Sequence, residues 1–409
     1  MRICVVALQY TPDGGPSAPL YGMLCERLAR AGHAVTMICA VPHYPAGKVS
    51  PEYRRGFLQR SVEKGVRVIR VRVPSVNRAS LPARLMQFLA FQIGAAIAAL
   101  RVPCDVVLAG NPAIEVFCPF AVLTVLRRRP AVFSIHDVYP DVGIALGIFR
   151  SRMVIAVVRA LEGFCARRAS AVRILSESFA PGVSRLGVPE SRMHLVYDWV
   201  DTSLIRPLPR DNGFAREQGI VDRFVVLYAG NIGLSQGLEE ILNVARCLDS
   251  EILFLFVGDG AGRGELERAA AVMGLTNVRF LPFQPRNRLP EVLASADIGL
   301  VVLRKGMGGG SLPSKLFSIL ASGRPVVASV DPGSDTAFLL QQSGAGLCVQ
   351  AGDNDSLAGV IAALKNDKEA RVCMGEKGRR RALEHHSPEG AAKRFEELLL
   401  AIQYQGEFT

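Results

Sequence analysis

The sequence is poor in the features that mark nucleic-acid-binding and metal-binding chains. It has one Trp in 409 residues and 7% aromatic residues, so few rings lie among its basic residues to stack on bases. Its nine Cys include no CxxC pair, which disfavours a zinc site or a disulfide framework. It has no cluster of His, Asp and Glu with the spacing of metal ligands. We therefore expect no nucleic-acid partner, no metal and no cofactor.

Long apolar runs are also missing. The longest apolar stretch, residues 85–100, has 16 residues and contains two Gln, short of the roughly 20 residues that span a bilayer. The N-terminus, MRICVVALQY, enters an apolar run at once and shows no charged leader of a signal peptide. Several Cys lie in apolar runs, where Cys acts as a small core residue. These features predict a cytoplasmic protein.

The positive charge is concentrated in one half of the chain. Residues 1–205 hold 25 Lys and Arg against 13 Asp and Glu, and the rest of the chain holds 23 against 24. Basic residues also flank two apolar stretches: Arg84 and Arg101 border residues 85–100, and Arg127, Arg128 and Arg129 follow FCPFAVLTVL. Such stretches suit helices that lie on anionic lipid headgroups. The alternative is that both are core helices with basic ends.

Short β-branched runs alternate with helical stretches along the whole chain, which predicts α/β domains with parallel sheets. The predicted strands are ICVVAL, AVTMICAV, VRVIRVRV, DVVLAG, AVFSIHD, AVRILS, VVLYAGN, ILFLFVGDG, VRFLPF, IGLVVL, PVVASV and GLCV. A proline-containing linker, DWVDTSLIRPLPRDNG, separates two such series. We predict two Rossmann-like doubly wound domains, 1–200 and 201–386, that face a cleft, with the terminal helix 387–409 packing back on the first.

Glycine-bearing turns follow several of these strands. Gly14 and Gly15 precede a helix predicted from Ala18, where backbone N–H groups can approach a phosphate or a sugar. Gly258 and Gly260 form a G-D-G turn. A dinucleotide fingerprint would need a third glycine at the position of Arg263, so a nicotinamide enzyme is disfavoured.

The segments GDG, NVRFLPFQP, LPEVLASAD and LPSKLFSILASGRPVVAS, in this order, resemble the GT4 family of retaining GT-B glycosyltransferases. DGG, ARAGHAV, HYPAGKVS and SIHDVYPD extend the resemblance to the first half. The stretches GNIGLSQGLE and LPSK are similar to the branch of colanic-acid, capsule and O-antigen transferases, including fucosamine and fucose transferases. The resemblance implies a GT-B fold and a nucleotide-sugar donor.

Two departures from the family pattern concern donor binding. Where the family has an Arg and a Lys for the diphosphate, this sequence has Asn231 and Gln236. Lys315 is the best substitute for the missing charge, and Arg304 and Lys305 are weaker ones. The family's paired Glu is also missing, because the second position is Ser318 and the first falls within residues 308–311. The glycine-rich loop there is predicted either to bind the donor through its backbone or to form a lid without direct contact.

The resemblance also implies a set of site residues. The predicted catalytic residues are His136, which would touch the donor sugar, Asp137, which would meet the acceptor, and Lys315; a purely structural role for His136 is the alternative. The remaining predicted donor-binding residues are Gln284, Gly310, Ser311, Leu312 and Pro313.

The resemblance predicts transfer of a sugar to a polyprenyl-diphosphate-linked saccharide. UDP is the first candidate for the donor nucleotide and GDP the second, and an N-acetylated 6-deoxyhexosamine such as fucosamine is a candidate for the sugar. The product would be capsule, O-antigen or exopolysaccharide, made at the inner face of the cell membrane. Two alternatives stay open: a sugar-nucleotide epimerase of the same fold, and a non-catalytic basic protein that binds membranes or nucleic acid.

Overall fold

The computed structural model describes residues 1–44, 47–54, 56–76, 80–145, 147–233, 236–306 and 312–407. Contacts between Cα atoms divide the chain into two compact units. Unit 1 comprises Met1–Asp198 and Pro388–Thr409, and unit 2 comprises Trp199–Ser387.

Unit 1 is built on an eight-stranded sheet. Its strands are β1 (Arg2–Val6), β2 (Ala34–Ala40), β3 (Leu58–Glu63), β4 (Val66–Val71), β5 (Val106–Gly110), β6 (Ala131–Ser134), β7 (Ala171–Ile174) and β8 (Met193–Leu195). They lie in the order β3-β4-β2-β1-β5-β6-β7-β8, and every pair is parallel except β3 with β4. The central strands β1, β5 and β6 are almost wholly apolar, as expected of parallel strands that are covered on both faces.

In the described part of unit 1, six α-helices connect these strands. They are α1 (Ala18–Arg30), α2 (Leu81–Arg101), α3 (Ala113–Ala121), α4 (Asp141–Ala145), α5 (Arg152–Arg168) and α6 (Ala180–Arg185). A π-helical segment, Val122–Leu126, continues α3. Helix α3 contacts both α2 and α5, and the buried Phe91, Phe120 and Cys165 of these three helices share one core with the sheet. The three helices therefore form one layer.

Unit 2 is built on a six-stranded parallel sheet. Its strands are β9 (Phe224–Ala229), β10 (Ile252–Val257), β11 (Val278–Leu281), β12 (Ile298–Val302), β13 (Val326–Val330) and β14 (Gly346–Gln350), in the order β11-β10-β9-β12-β13-β14. Its helices are α7 (Gly213–Glu217), α8 (Glu239–Cys247), α9 (Arg263–Val272), α10 (Leu289–Ala294), α11 (Ser314–Ala321), α12 (Asp335–Ser343), α13 (Asn354–Asn366) and α14 (Lys368–His385). Apolar clusters cover both faces of this sheet.

The last helix, α15 (Pro388–Glu407), belongs to unit 1 although unit 2 precedes it in the chain. It contacts α1, β5 and β6 and buries Phe395, Leu399 and Ile402. Arg27 pairs with Glu389 at 2.6 Å and His33 with Glu396 at 2.7 Å, which ties α15 to α1 and to the turn after it. The chain thus crosses between the units twice.

The α/β fold class predicted from the sequence is confirmed, and each of the twelve predicted runs contains a strand. Two strands, β3 and β8, were not predicted. Helix α2 is also longer than the 16-residue apolar stretch in the sequence. Among the described residues it is the one helix long and apolar enough to cross a membrane, over Pro82–Arg101, and 39% of its 18-residue apolar window is buried inside the fold. A core helix passes the same test, so this property alone decides nothing.

Candidate active site

His136 lies two residues beyond β6, at the carboxyl edge of the unit 1 sheet. Its Nε2 is 3.2 Å from the hydroxyl of Tyr21 on α1 and 3.5 Å from Oγ of Ser134. Burial lowers the pKa of His136 to about 4, with the cation of Arg173 acting in the same direction and Asp198 opposing it. The imidazole is therefore neutral at pH 7.

A buried ion pair lies behind this imidazole. Arg173, on β7, has no exposed surface, and its Nη2 donates to Oδ1 of Asp198 at 2.7 Å. Its Nε donates to the carbonyl of Val196 at 2.6 Å, and its Nη1 donates to Oγ of Ser134 at 3.2 Å. Three separate partners thus fix the plane of the guanidinium.

Asn111 holds the backbone on which His136 and Asp137 lie. Its Oδ1 accepts a hydrogen bond from the His136 N–H at 2.8 Å, and its Nδ2 donates to the carbonyl of Asp137 at 2.6 Å. Burial raises the pKa of the Asp137 carboxyl to about 7, and the negative charge of Asp198 adds to this shift. Asp137 can therefore be neutral or charged near physiological pH.

The Gly14 and Gly15 turn lies between β1 and α1, where the sequence predicts it. The buried carboxylate of Asp13 accepts from the N–H of Gly15 at 2.8 Å and from that of His43 at 2.8 Å. The Gln9 side chain lies so close to Gly15 that a Cβ there would overlap with it. The turn is thus fastened to the segment after β2.

In unit 2, Lys315 lies at the start of α11 and its side chain reaches the carboxyl end of β9. Its Nζ donates to the hydroxyl of Tyr228 and, at 2.9 Å, to Oε1 of Gln236, and it lies 3.8 Å from the centre of the Tyr228 ring. Desolvation lowers the pKa of Lys315 to about 7. The structure therefore brings together two of the residues predicted for the diphosphate, Lys315 and Gln236.

Backbone hydrogen bonds connect the turn after β9 with the turn after β10. The N–H of Gly230 donates to Val257 at 2.9 Å, and that of Ile232 donates to Asp259 at 2.8 Å. A Cβ at Gly258 would overlap with the carbonyl of Gly230, and one at Gly260 would overlap with that of Ile232. These two glycines permit the close approach of the backbones. Asn231, beside them, is exposed.

The other predicted donor-binding residues have varied surroundings. Gln284 is half-buried and its Nε2 donates to the carbonyl of Pro282 at 3.1 Å. Leu312 is buried, Pro313 is the N-cap residue of α11, and Ser318 lies half-buried within that helix. Gly310 and Ser311 lie outside the described residues, as does the rest of the glycine-rich loop predicted from the sequence.

The arginines predicted to meet a membrane divide into two groups. Arg101 and Arg128 are exposed, whereas Arg84 and Arg129 are half-buried. Arg127 is also half-buried, and its Nη1 donates to the carbonyls of Val102 and, at 2.8 Å, Ala99. The structure thus gives Arg127 a different role from the prediction, because its guanidinium binds the carboxyl end of α2.

The sequence alone does not single out five of the residues at these sites: Tyr21, Asn111, Arg173 and Asp198 around His136, and Tyr228 beside Lys315. One signal was available for Arg173. A charged residue in the apolar run AVRILS indicates either an edge strand or a buried ion pair. Because β8 lies beyond β7, β7 is not an edge strand, and Arg173 forms a buried ion pair. Among the described residues, no group of three or more His, Cys, Asp and Glu is placed to hold a metal.

Two family models match the chain. The glycosyl transferase 4-like domain matches residues 17–199, and glycosyl transferases group 1 matches residues 211–381. A similar protein is the putative colanic acid biosynthesis glycosyl transferase WcaI of Escherichia coli (strain K12). It is 28% identical over 89% of this chain and 92% of its own length.

Solved structures show the same fold. The sucrose-phosphate synthase of Thermosynechococcus elongatus has a TM-score of 0.77 at 17% identity and covers 98% of this chain and 99% of its own. Anabaena HepE in complex with UDP has a TM-score of 0.73 at 16% identity and covers 98% of this chain and all of its own. Both likenesses place the chain among GT-B structures.

Proposed function

Since the chain is a glycosyltransferase of the GT-B fold, with a glycosyl transferase 4-like domain and a group 1 domain, we propose that it transfers a sugar from a UDP-linked donor to a lipid-linked saccharide with retention of configuration. The acceptor would be an intermediate of a surface polysaccharide. The name of the similar WcaI supports the polysaccharide, and the UDP bound to HepE supports the nucleotide.

The observation that carries the proposal is the position of Lys315. The family's cationic pair for the diphosphate is absent, and Lys315 instead brings an ammonium to Gln236 and Tyr228 at the carboxyl edge of the unit 2 sheet. Ligands of open α/β sheets bind at this edge. A diphosphate would favour the charged form of Lys315 and so offset the desolvation of its ammonium.

In the proposed reaction the bond between the anomeric carbon and the diphosphate oxygen breaks, and a bond from the same carbon to the acceptor oxygen forms on the same face. The diphosphate oxygen takes the proton of the acceptor hydroxyl. The neutral His136 would hydrogen-bond the donor sugar, and Asp137 would meet the acceptor. Lys315 and backbone N–H groups would stabilise the leaving diphosphate without a metal or cofactor.

The acceptor side would work at an anionic membrane. Exposed apolar side chains follow one stripe of α2, within about 100° at 3.6 residues per turn. We call this stripe, with its counterpart on α5, the apolar face: Leu85, Met86, Leu89, Ile93 and Leu100 on α2, and Met153, Val154 and Val157 on α5. It is a better candidate than the Arg127–Arg129 run, because Arg127 is used within the fold.

Charge favours anionic lipid as the partner of this face. The sequence has no acidic residue between Glu63 and Asp105 or between Asp141 and Glu162, and these intervals contain α2 and most of α5. Arg101 and Arg128 are exposed near one end of α2, and Arg150, Arg152 and Arg159 are exposed before and along α5. Apolar side chains bordered by Arg suit an interfacial docking surface. The protein would then act at the inner face of the cell membrane.

Calorimetric titration with UDP and GDP, followed by a transfer assay on a lipid-linked saccharide with and without EDTA, tests the proposal. We expect UDP to bind more tightly, the product to keep the anomeric configuration, and EDTA to leave the rate unchanged. Conversion of the sugar nucleotide without any acceptor would instead show an epimerase. Binding of neither nucleotide would contradict the assignment of the donor site.

A further inference from the structure

The two ring nitrogens of His136 face groups of different chemistry. Nε2 faces the hydroxyls of Tyr21 and Ser134, which can each donate or accept a hydrogen bond. Nδ1 faces Nη1 of Arg173 at 3.5 Å, and a guanidinium can only donate. The side of the ring that faces Arg173 therefore decides where the imidazole proton lies.

The carboxylate of Asp198 does not reverse this preference. Its Oδ1 lies 3.8 Å from Nδ1 of His136, beyond hydrogen-bond distance, and accepts from Arg173 at 2.7 Å. Arg173 cannot turn away, because its Nε and Nη1 are bound to Val196 and Ser134 within a fully buried site. Nδ1 is left as the acceptor.

We propose that Arg173 is a positioning residue that keeps His136 in the tautomer with its proton on Nε2. This rests on the proposed function, in which the Nε2 edge of His136 offers an N–H to a hydroxyl of the donor sugar. Burial is the main cause of the low pKa of His136, about 4, and the cation of Arg173 adds to it, so the ring is neutral at pH 7 and its tautomer is the property that the test follows. Asp198 supplies the counter-charge that allows an arginine to be buried there.

The test is a long-range ¹H–¹⁵N NMR spectrum of protein labelled at histidine, with the His136 signals assigned by their loss in His136→Gln. We expect wild type to show a protonated Nε2 and an unprotonated Nδ1 at pH 7. In the double variant Arg173→Met/Asp198→Leu, which removes the ion pair without leaving a buried charge, the ring should populate both tautomers. The kcat of transfer should fall on the order of tenfold, with a smaller change in KM.

A second variant covers the case in which the double variant does not fold. Arg173→Lys keeps a cation beside Asp198, but one ammonium cannot reproduce the several arms of the guanidinium, so the same loss of tautomer preference is expected. The matched control is Arg70→Met/Glu63→Leu, because Arg70 is also buried in unit 1 and donates to Glu63 at 2.9 Å. It should leave the His136 signals unchanged.

A proton on Nδ1 in wild type, or an unchanged tautomer in both Arg173 variants, would overturn the assignment. The NMR experiment uses protein without substrate. If no transfer activity were found while the tautomer depended on Arg173, the proposed function would be wrong and the assignment would stand.

Discussion

At the scale of single residues, burial shifts the pKa values of the predicted catalytic side chains. Lys315 and His136 both lose charge because the protein desolvates them, and their pKa values fall to about 7 and about 4. Asp137 shifts the other way, to about 7, because burial disfavours its anion. Near pH 7 the three predicted catalytic residues are thus less charged than their sequence suggests.

The first prediction concerns the pH dependence of UDP binding. The folded-state pKa of Lys315, about 7, lies below its usual value of 10.5, and a bound diphosphate favours the protonated form. UDP affinity should therefore fall as pH rises above about 7, by up to about tenfold per pH unit. Lys315→Met should weaken binding at pH 7 by about 10- to 100-fold and remove this dependence, as measured by calorimetry from pH 6.5 to 9.

Lys365→Met is the control for this prediction. Lys365 lies in the same unit and pairs with Glu251 at 2.7 Å on the surface, so its loss should change neither affinity nor pH dependence. If the slope with pH persisted in Lys315→Met, another group would be binding the diphosphate.

Some of these residues could be read from the sequence and others could not. His136 follows a strand, and Lys315 lies at the start of a helix, so the local sequence pattern of each predicts a position at a sheet edge. Asp198 is 25 positions from Arg173 in the chain, and only the pairing of β7 with β8 brings them together. Residues that act through such distant partners leave no local pattern.

At the scale of elements, close packing of α14 on α11 depends on Gly375. A Cβ there would overlap with the carbonyl of Gly323, which follows α11. We expect Gly375→Ala to lower the free energy of unfolding by about 1–3 kcal/mol. The exposed Gly359 in α13 has open space around it, so Gly359→Ala should instead raise it by about 0.5–1 kcal/mol. Urea unfolding measures both, and equal effects would contradict the packing argument.

The apolar face gives a prediction about membrane association. Leu89→Glu with Met153→Glu places carboxylates where apolar side chains would enter the lipid, so binding to vesicles with anionic lipid should fall at least about tenfold. Sedimentation with phosphatidylglycerol vesicles at low salt measures it, with phosphatidylcholine vesicles for comparison.

Val272→Glu is the matched control, because Val272 is 89% exposed but lies on α9 of unit 2. It should leave vesicle binding unchanged. If the wild-type protein failed to sediment with anionic vesicles, the membrane proposal would be wrong. The proposed UDP site does not depend on this result.

Strands were predictable where burial dictates composition. β10, ILFLFV, is buried along its whole length and has the continuous apolar run of a central parallel strand. β3, LQRSVE, lies at the sheet edge with mostly exposed or half-buried side chains, and β8 has three residues, so neither carries such a run. The position of an edge strand is determined mainly by pairing with its neighbour, so the local sequence predicts such a strand poorly.

At the scale of the whole molecule, unit 1 depends on a helix from the far end of the chain. Phe395 on α15 is buried to 1% exposure, and its ring lies 5.7 Å from the guanidinium of Arg173. Phe395→Ala should lower the free energy of unfolding by about 3–5 kcal/mol. Tyr404→Ala, on the same helix but 60% exposed, should change it by less than about 0.5 kcal/mol. Thermal unfolding followed by circular dichroism compares the two variants. A loss of stability in Phe395→Ala as small as that in Tyr404→Ala would show that α15 is not part of the core.

The double crossing of the chain has a consequence for biosynthesis. Unit 2 is complete in sequence once residue 387 has left the ribosome, but residues 1–198 must wait for α15, which begins at Pro388, before their own core closes. During that interval the surface that α15 later covers stays open to water. The unit that is made first is therefore finished last, and a nascent chain released after residue 387 would carry all of unit 2 but an unfinished unit 1.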